Sequence, residues 1–197
     1  MTELVDDPDA TLVARALRDP RAYGAIVRRF EAVLRRYVKR LLGRHGQAAD
    51  DVVQDVFVKA YVNLNGYDQS RALGPWLYRI AHNEAVSYLR KRGREPSVID
   101  GEDGQLILAK LRDENAFGAA PLQDSGIHQA LAGLAPRYRD VLLLRYVEDK
   151  SYDEISDILQ MPPGTVATRI RRGLERLKSA LAKWNGNGGR LDSYERA

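Results

Sequence analysis

The sequence predicts an all-α protein made of two small helical domains joined by a flexible acidic linker. Three observations lead to this fold class. Apolar residues recur at helical spacing in two stretches, residues 20–95 and 125–184. The residues between them, 96–124, lose that pattern and gather acidic side chains. No stretch shows the apolar and polar alternation that is typical of a half-buried strand.

The first domain is predicted to contain three helices. The first ends near Gly43, a residue type favoured just after a helix, and its apolar positions are Tyr23, Ile26, Val27, Phe30, Leu34, Tyr37 and Leu41. The second is expected to begin with Asp50 as its N-cap. Residues 63–74 gather Asn, Gly, Asp and Ser and are predicted to form a loop. Pro75 suits the first turn of the third helix, which ends in the basic run RKRGR.

The connection between the domains is acidic. Residues 95–124 hold seven acidic side chains against two basic ones, and QLILAKL at 105–111 predicts a short helix within them. A solvated tether and a segment that lies in a positively charged channel both fit this composition. The glycine-rich tail, residues 185–197, is predicted to be mobile.

The second domain is predicted to contain a helix-turn-helix. A helix is expected in residues 125–134, another opens at Pro136, and a third spans 151–160. The stretch MPPG at 161–164 then predicts a sharp turn, in which Gly164 permits the change of direction and Thr165 caps the last helix. The inward face of that helix carries Val166, Ile170, Leu174, Leu177 and Leu181.

The opposite face of the last helix is rich in hydroxyls and guanidiniums. Thr165, Thr168 and Arg172 lie roughly opposite the apolar face, and the flanking residues are Arg169, Arg171 and Arg176. Such a face can contact phosphates and base edges in a major groove. Arginines that merely solubilise a helical hairpin are the alternative, but the sharp turn and the clean separation of the two faces favour DNA binding.

Composition limits the other classes of function. The 197 residues carry 31 Lys and Arg against 27 Asp and Glu, and the net charge of +4 is compatible with a polyanionic partner. The absence of cysteine excludes thiol catalysis and cysteine-ligated metals, so the H-x-E spacing of His82 and Glu84 does not indicate a zinc deaminase. Without a phosphate loop or nucleophile motif, we predict no enzyme, metal or cofactor. The acidic N-terminus and lack of a long apolar run predict a cytoplasmic protein without membrane insertion.

Both halves resemble bacterial sigma factors of the extracytoplasmic-function (ECF) type. In the first half, ADDVVQDVFVKAY (49–61) and WLYRIAHNEAVSYLRKR (76–92) are similar to the family's region two. In the second, LAPRYRDVLLLRYVEDKSYDEISDIL (134–159) and GTVATRIRRGLERL (164–177) are similar to its region four. The likeness extends over residues 22–94 and 127–182, in the family's order.

The resemblance implies a role for each part. The second helix would bind the clamp helices of the large subunit of core RNA polymerase through Asp51, Gln54 and Asp55. The third helix, with the 63–74 loop, would engage the minus-10 promoter element and help to melt the duplex. Its candidate residues are Arg79, Asn83, Arg90, Lys91 and Arg92. The last helix would bind the minus-35 element through Thr165, Thr168, Arg169, Arg171 and Arg172. The family also implies control by an anti-sigma partner.

Three questions stay open at this point. A helix-turn-helix regulator that acts without polymerase would share the second half, although the first half has no place in a sensor domain. Trp76 and Tyr88 would either stack on bases or pack in the core. Two positions depart from the family: Ala167 stands where many relatives have a basic residue, and Ser156 replaces a common alanine, so its hydroxyl needs a partner if buried.

Overall fold

The computed structural model describes residues 8–92, 130–131 and 133–186. Every regular element in these ranges is helical, which confirms the predicted all-α class. The chain divides into two compact units, one of residues 1–95 with 157–159 and one of residues 96–156 with 160–197. No helix within the described ranges is long and apolar enough to span a bilayer.

The first unit starts with a helix that the sequence analysis left unassigned. This helix, α1 (Asp9–Arg18), buries Leu12, Val13 and Ala16 and packs on α2 (Tyr23–Leu42). The Asp9 carboxylate pairs with Arg29 at 3.3 Å and accepts a hydrogen bond from the Leu73 amide at 3.1 Å. Because Leu73 begins a later helix, Asp9 satisfies one of the amides that a helix start leaves without an intrahelical partner.

The helix α2 ends where the sequence predicts. Its last residue is Leu42, and Gly43 follows with φ 53° and ψ −119°, a conformation that glycine adopts without strain. The side chains of Leu34, Tyr37, Val38, Leu41 and Leu42 are at most 1% exposed. They form the centre of the first unit's core, and α3 and α4 pack on this same helix.

The helix α3 spans Ala49–Asn63 and starts two residues earlier than predicted. The prediction that Asp50 is its N-cap is therefore wrong. Asp50 lies inside the first turn, and its carboxylate pairs with Arg35 of α2 at 2.7 Å instead of capping the backbone. An acidic side chain in the first turn still interacts favourably with the positive end of the helix dipole.

The helix α4 spans Leu73–Lys91 and has Pro75 in its first turn, as predicted. The loop predicted at 63–74 is shorter than expected. Leu64–Gly66 forms a 3₁₀ turn, and Leu73 and Gly74 already belong to α4. Apolar burial explains the difference, because Leu64 is 3% exposed and Leu73 is fully buried.

Three further helices are described in the C-terminal half of the chain, and all of their residues except 157–159 are grouped in the second unit. The first of them, α5 (Pro136–Leu142), opens at Pro136 as predicted and continues into a π-helical turn, Leu143–Val147. The next, α6 (Tyr152–Leu159), begins with a capping box in which Ser151 and Glu154 satisfy each other's backbone amides. The last, α7 (Pro163–Gly186), is the predicted basic helix.

The packing of α5 on α7 holds the second unit together. Val166, Ile170, Leu177 and Leu181 are at most 3% exposed, which confirms four of the five positions of the predicted inward face, whereas Leu174 is only half-buried. Gly173 lies at the closest approach of the two helices. A methyl group added there would be 3.3 Å from the Leu142 side chain and 3.5 Å from Cβ of Tyr138. A larger residue at 173 would have to move one of these neighbours.

The turn between α6 and α7 differs from the prediction in two respects. The residue that reverses the chain is Gln160, with φ 51° and ψ 51°, whereas Gly164 already lies in α7. Thr165 is the third residue of α7 and does not cap it, because the helix starts at Pro163, whose missing N–H is harmless in the first turn. Ser156 donates its hydroxyl to the Met161 carbonyl at 2.5 Å, which gives that hydroxyl the partner it needs.

Several predictions fall outside the described residues. These are the acidic linker at 96–124, the short helix at 105–111 and residues 187–197 of the predicted tail. The first two residues of that tail, Asn185 and Gly186, belong to α7, so the predicted start of the tail at residue 185 is wrong. Of the helix predicted at 125–134, Ala130 and Leu131 are helical and buried, whereas Gly133 and Leu134 lie in a turn, so the predicted C-terminal end is wrong.

Candidate nucleic-acid interface

The N-terminal half of α7 lines a surface cleft together with the start of α5. The cleft, of about 400 Å³ and here called the α7 cleft, is lined by Arg137, Tyr138, Gly164, Thr165, Thr168, Arg169 and Arg172. Four of the five residues predicted for minus-35 binding are therefore brought together: Thr165, Thr168, Arg169 and Arg172. At 100° per residue they lie within an arc of about 100° on the helix surface.

The fifth candidate, Arg171, lies outside the α7 cleft. Its guanidinium pairs with Glu175 one turn further along the helix, at 2.9 Å. Thr168, within the cleft, donates its hydroxyl to the Gly164 carbonyl at 2.8 Å. Arg171 is about two-thirds exposed, so its pairing with Glu175 is of the weak surface kind and is easily exchanged for another anion.

Arg137 and Tyr138 are the residues of the α7 cleft that the sequence analysis missed. The Arg137 guanidinium carbon lies 5.1 Å from the centre of the Tyr138 ring, and that of Arg176 lies 4.6 Å from it. Burial raises the pKa of Tyr138, but the positive charges of Arg176, Arg137 and Arg172, with a hydrogen bond from Arg137, outweigh it and lower the pKa. The cleft therefore has a positive potential that favours negative charge.

A second cleft lies between α3 and α4. This α4 cleft, of about 390 Å³, is lined by Lys59, Asn63, Gly66, Trp76, Arg79, Ile80, Asn83 and Glu84. It contains two of the predicted minus-10 residues, Arg79 and Asn83. Lys59 and Glu84 form an ion pair across it at 2.5 Å.

The other minus-10 candidates lie at the far end of α4. Arg90, Lys91 and Arg92 are all exposed, and the Arg92 guanidinium lies over the Tyr88 ring at 5.1 Å. They do not line the α4 cleft. The structure thus separates the predicted set into a pair within the cleft and a basic group at the C-terminal end of the helix.

Trp76 packs against its own unit and also lines the α4 cleft. Its ring centre lies 5.0 Å from that of Tyr67, so one part of the side chain packs against the unit. The side chain is only half buried, and it also lines the α4 cleft. Tyr67 is itself fixed, because it is 7% exposed and donates its hydroxyl to the Arg71 carbonyl. A rigidly supported, partly open aromatic face is the arrangement that stacks on an unpaired base.

The outward side of α3 carries the predicted polymerase-binding residues. Asp51, Gln54 and Asp55 are all exposed. The same face continues toward the C-terminus with three exposed apolar residues: Val58 (56% exposed), Tyr61 (44%) and Val62 (70%). We call these six residues the α3 outer face. The sequence analysis did not single out this apolar half, although residues 58, 61 and 62 follow 51, 54 and 55 at a spacing of seven and so share their face of the helix.

The histidine and acid pair with H-x-E spacing has structural partners. His82 Nδ1 lies 3.1 Å from the Tyr37 hydroxyl, and the Glu84 carboxylate pairs with Lys59. No cluster of three or more potential metal ligands occurs in the described parts of the chain.

Comparisons with known proteins match both units. The family model described as "Sigma-70 region 2" matches residues 26–95, and "Sigma-70, region 4" matches residues 125–177. The chain is 33% identical to the ECF RNA polymerase sigma factor SigW of Bacillus subtilis, over 83% of this chain and 90% of that protein. It is 35% identical to the RNA polymerase sigma-H factor of Pseudomonas aeruginosa, over 90% of this chain and 96% of the relative.

A solved structure is similar over nearly the whole chain. CnrH, determined in complex with the cytosolic domain of CnrY, is 27% identical with a TM-score of 0.64, over 90% of this chain and 99% of that one. The α4 and α7 clefts and the α3 outer face thus lie in segments that match two family regions in their usual order.

Proposed function

This chain belongs to the ECF sigma factors of RNA polymerase, and from that premise we propose how its surfaces divide the work of transcription initiation. The α3 outer face binds core polymerase, the α4 cleft and the basic end of α4 engage the minus-10 element, and the α7 cleft binds the minus-35 element. Sigma factors are DNA-binding initiation factors, and RNA synthesis is catalysed by the polymerase. We expect the chain to act in the cytoplasm together with the polymerase.

The observation that carries this proposal is the presence of both family regions, each with its own exposed binding surface. A regulator that acts without polymerase would account for residues 125–177 but not for the region-two match at residues 26–95. That alternative is therefore not favoured.

The α4 cleft supports a role in holding an unpaired base. Trp76 offers an aromatic face, while Arg79 and Asn83 offer hydrogen-bond donors at the same opening. Stacking and edge hydrogen bonds beside positive charge are how proteins bind single-stranded nucleic acid. The exposed Arg90, Lys91 and Arg92 would then bind the phosphate backbone.

The α7 cleft supports binding of duplex DNA. Thr165, Thr168, Arg169 and Arg172 occupy one face of the first three turns of α7, the part of a recognition helix that enters a major groove. Arginine paired with guanine discriminates between bases by about 1–3 kcal/mol. Arg171, which lies outside the cleft, is the candidate for a flanking contact.

We also propose that the chain is controlled by an anti-sigma protein. Its structural relative CnrH was solved in complex with the cytosolic domain of CnrY. The half-apolar α3 outer face would be a surface for such a partner to cover, which would compete directly with polymerase.

The test is to combine the full chain with sigma-free bacterial core polymerase and to sequence the 5′ ends of transcripts made from its source genome. Discrete start sites preceded by a shared two-part motif are expected. A matched pair of variants tests the surface assignment: Asp51→Asn with Asp55→Asn should lose core binding, whereas Asp153→Asn, an exposed acid on α6, should not. A well-folded chain that does not bind core polymerase would overturn the proposal.

A further inference from the structure

Arg137 enters the α7 cleft from a different helix than the residues assigned to minus-35 recognition. It is the second residue of α5, and its side chain is exposed. The shared cleft places it beside Thr165, Thr168, Arg169 and Arg172 of α7. A cation in this position would approach the DNA from beside the recognition helix.

Tyr138 holds this cation in place. Tyr138 is 5% exposed, and a methyl group added at Gly173 would be 3.5 Å from the Tyr138 Cβ, so the small residue at 173 leaves room for this side chain. Arg137 lies over the ring at 5.1 Å and Arg176 at 4.6 Å. Contacts of an arginine with an aromatic face restrict the conformations of its long side chain, which lowers the entropy cost of binding an anion.

The charge around the ring is unbalanced. No acidic residue lines the α7 cleft among the described residues, whereas Arg171, outside the cleft, has Glu175 as its counter-ion. The arginines near Tyr138 also lower the pKa of its hydroxyl in spite of its burial. This excess of positive charge favours the binding of a negatively charged group in the cleft.

We propose that Arg137, positioned by Tyr138, binds a backbone phosphate of the minus-35 DNA and adds sequence-independent affinity to the contacts of α7. The inference rests on the proposed function and goes beyond it by assigning a contact to α5. Arg137 would fix the orientation of the recognition helix on the duplex, and Tyr138 would act through Arg137 as a positioning residue. Phosphate contacts carry no sequence information but set the register of base-reading side chains.

The test uses holoenzyme reconstituted from core polymerase and the full chain, with promoter DNA whose motif comes from the transcript mapping. Arg137→Gln should weaken binding equally to the cognate minus-35 element and to a scrambled one, with the minus-10 element unchanged. It should also lower the salt dependence by about one phosphate contact. Between 50 and 200 mM salt, the variant should lose roughly 3- to 4-fold less affinity than the wild type, since one contact contributes a slope of about 0.9.

Arg145→Gln is the matched control. Arg145 also lies near tyrosine rings, 5.9 Å from Tyr146 and 5.8 Å from Tyr152, but it does not line the α7 cleft. The Arg145→Gln substitution removes the same charge from the same unit, so the salt slope of this variant should stay at the wild-type value. Equal slopes for Arg137→Gln and Arg145→Gln, or a loss confined to the cognate sequence, would overturn the inference.

Substitutions of Tyr138 test the positioning role. Tyr138→Phe retains the ring but loses the hydroxyl that accepts a hydrogen bond from Arg137, so it should lower the salt slope less than Tyr138→Leu, which should lower it as Arg137→Gln does. If Tyr138→Leu fails to fold, the double variant Tyr138→Phe with Arg137→Gln provides the test. Its salt slope should equal that of Arg137→Gln alone, and a further decrease of the slope would contradict the positioning role of Tyr138. A wild-type chain that does not bind core polymerase refutes the proposed function, whereas normal wild-type binding with an unaltered Arg137→Gln slope refutes this inference alone.

Discussion

The apolar half of the α3 outer face leads to a quantitative prediction for polymerase binding. Val62 is 70% exposed and Val58 is 56% exposed, although both are large apolar side chains. Full burial of a valine side chain is worth about 1.5–2 kcal/mol. Covering the exposed fractions would thus contribute about 1.0–1.4 kcal/mol for Val62 and about 0.8–1.1 kcal/mol for Val58.

The double variant Val58→Ser with Val62→Ser should therefore weaken core polymerase binding by about 2 kcal/mol, or roughly 30-fold in Kd. Valine and serine have similar helix propensities, so the free chain should remain folded. The assay is a competition titration in which unlabelled variants displace fluorescently labelled wild-type chain from core polymerase. Circular dichroism melts would show that the helical content is preserved.

The matched control is Val86→Ser, since Val86 is 45% exposed but belongs to α4. Its affinity should stay within about twofold of the wild type. If the double variant binds as tightly as Val86→Ser, then the apolar half of the face stays in solvent in the complex and the reasoning from exposed area fails.

Three further predictions concern the folded chain. Gln160→Gly should raise the free energy of unfolding by about 1 kcal/mol, measured by chemical denaturation. Gln160 has φ 51° at a helix end, where glycine is unstrained. A decrease in the free energy of unfolding would contradict this. Leu177→Ala should lower the stability of the second unit by about 2–5 kcal/mol, measured by hydrogen exchange of α7 amides, and unchanged exchange would refute its core role. Burial raises the pKa of Tyr23 above its usual 10.0, so the native state keeps a proton that the unfolded chain loses at high pH. Stability should fall as pH rises past about 10, and Tyr23→Phe should flatten that fall in urea titrations; an equally steep decline in the variant would rule Tyr23 out as the cause.

Periodicity predicted the inward faces well, for a physical reason. In α2 and α7 the buried positions recur every three or four residues, and residues such as Leu34 and Leu177 are fully buried. A helix that packs on one side leaves this pattern in its sequence. Gly43 was also predicted correctly, because a glycine after an apolar run is a local signal.

Periodicity did not predict the features that depend on the degree of solvent exposure or on contacts between residues far apart in the sequence. Helical spacing places Val58 and Val62 on the outward face of α3, but it does not show how much of each side chain stays exposed. Arg137 joins the α7 cleft only because α5 packs on α7, and no spacing between residues 137 and 169 encodes this. The turn residue was misplaced because glycine is the usual left-handed residue, whereas here Gln160 adopts that conformation.

Gly173 sets the separation of α5 and α7, and this has a consequence for variation among promoters. Thr165 lies eight residues before Gly173, about 12 Å along the helix axis. A side chain at 173 that pushes the helices apart would tilt α7 about this point, and the shift would grow toward the end that bears Thr165. Under the proposed function, the angle at which the α7 cleft meets a duplex would therefore depend on Gly173, a residue buried against Leu142 and Tyr138 of α5. A substitution at 173 should change which promoters are used even where the protein stays folded.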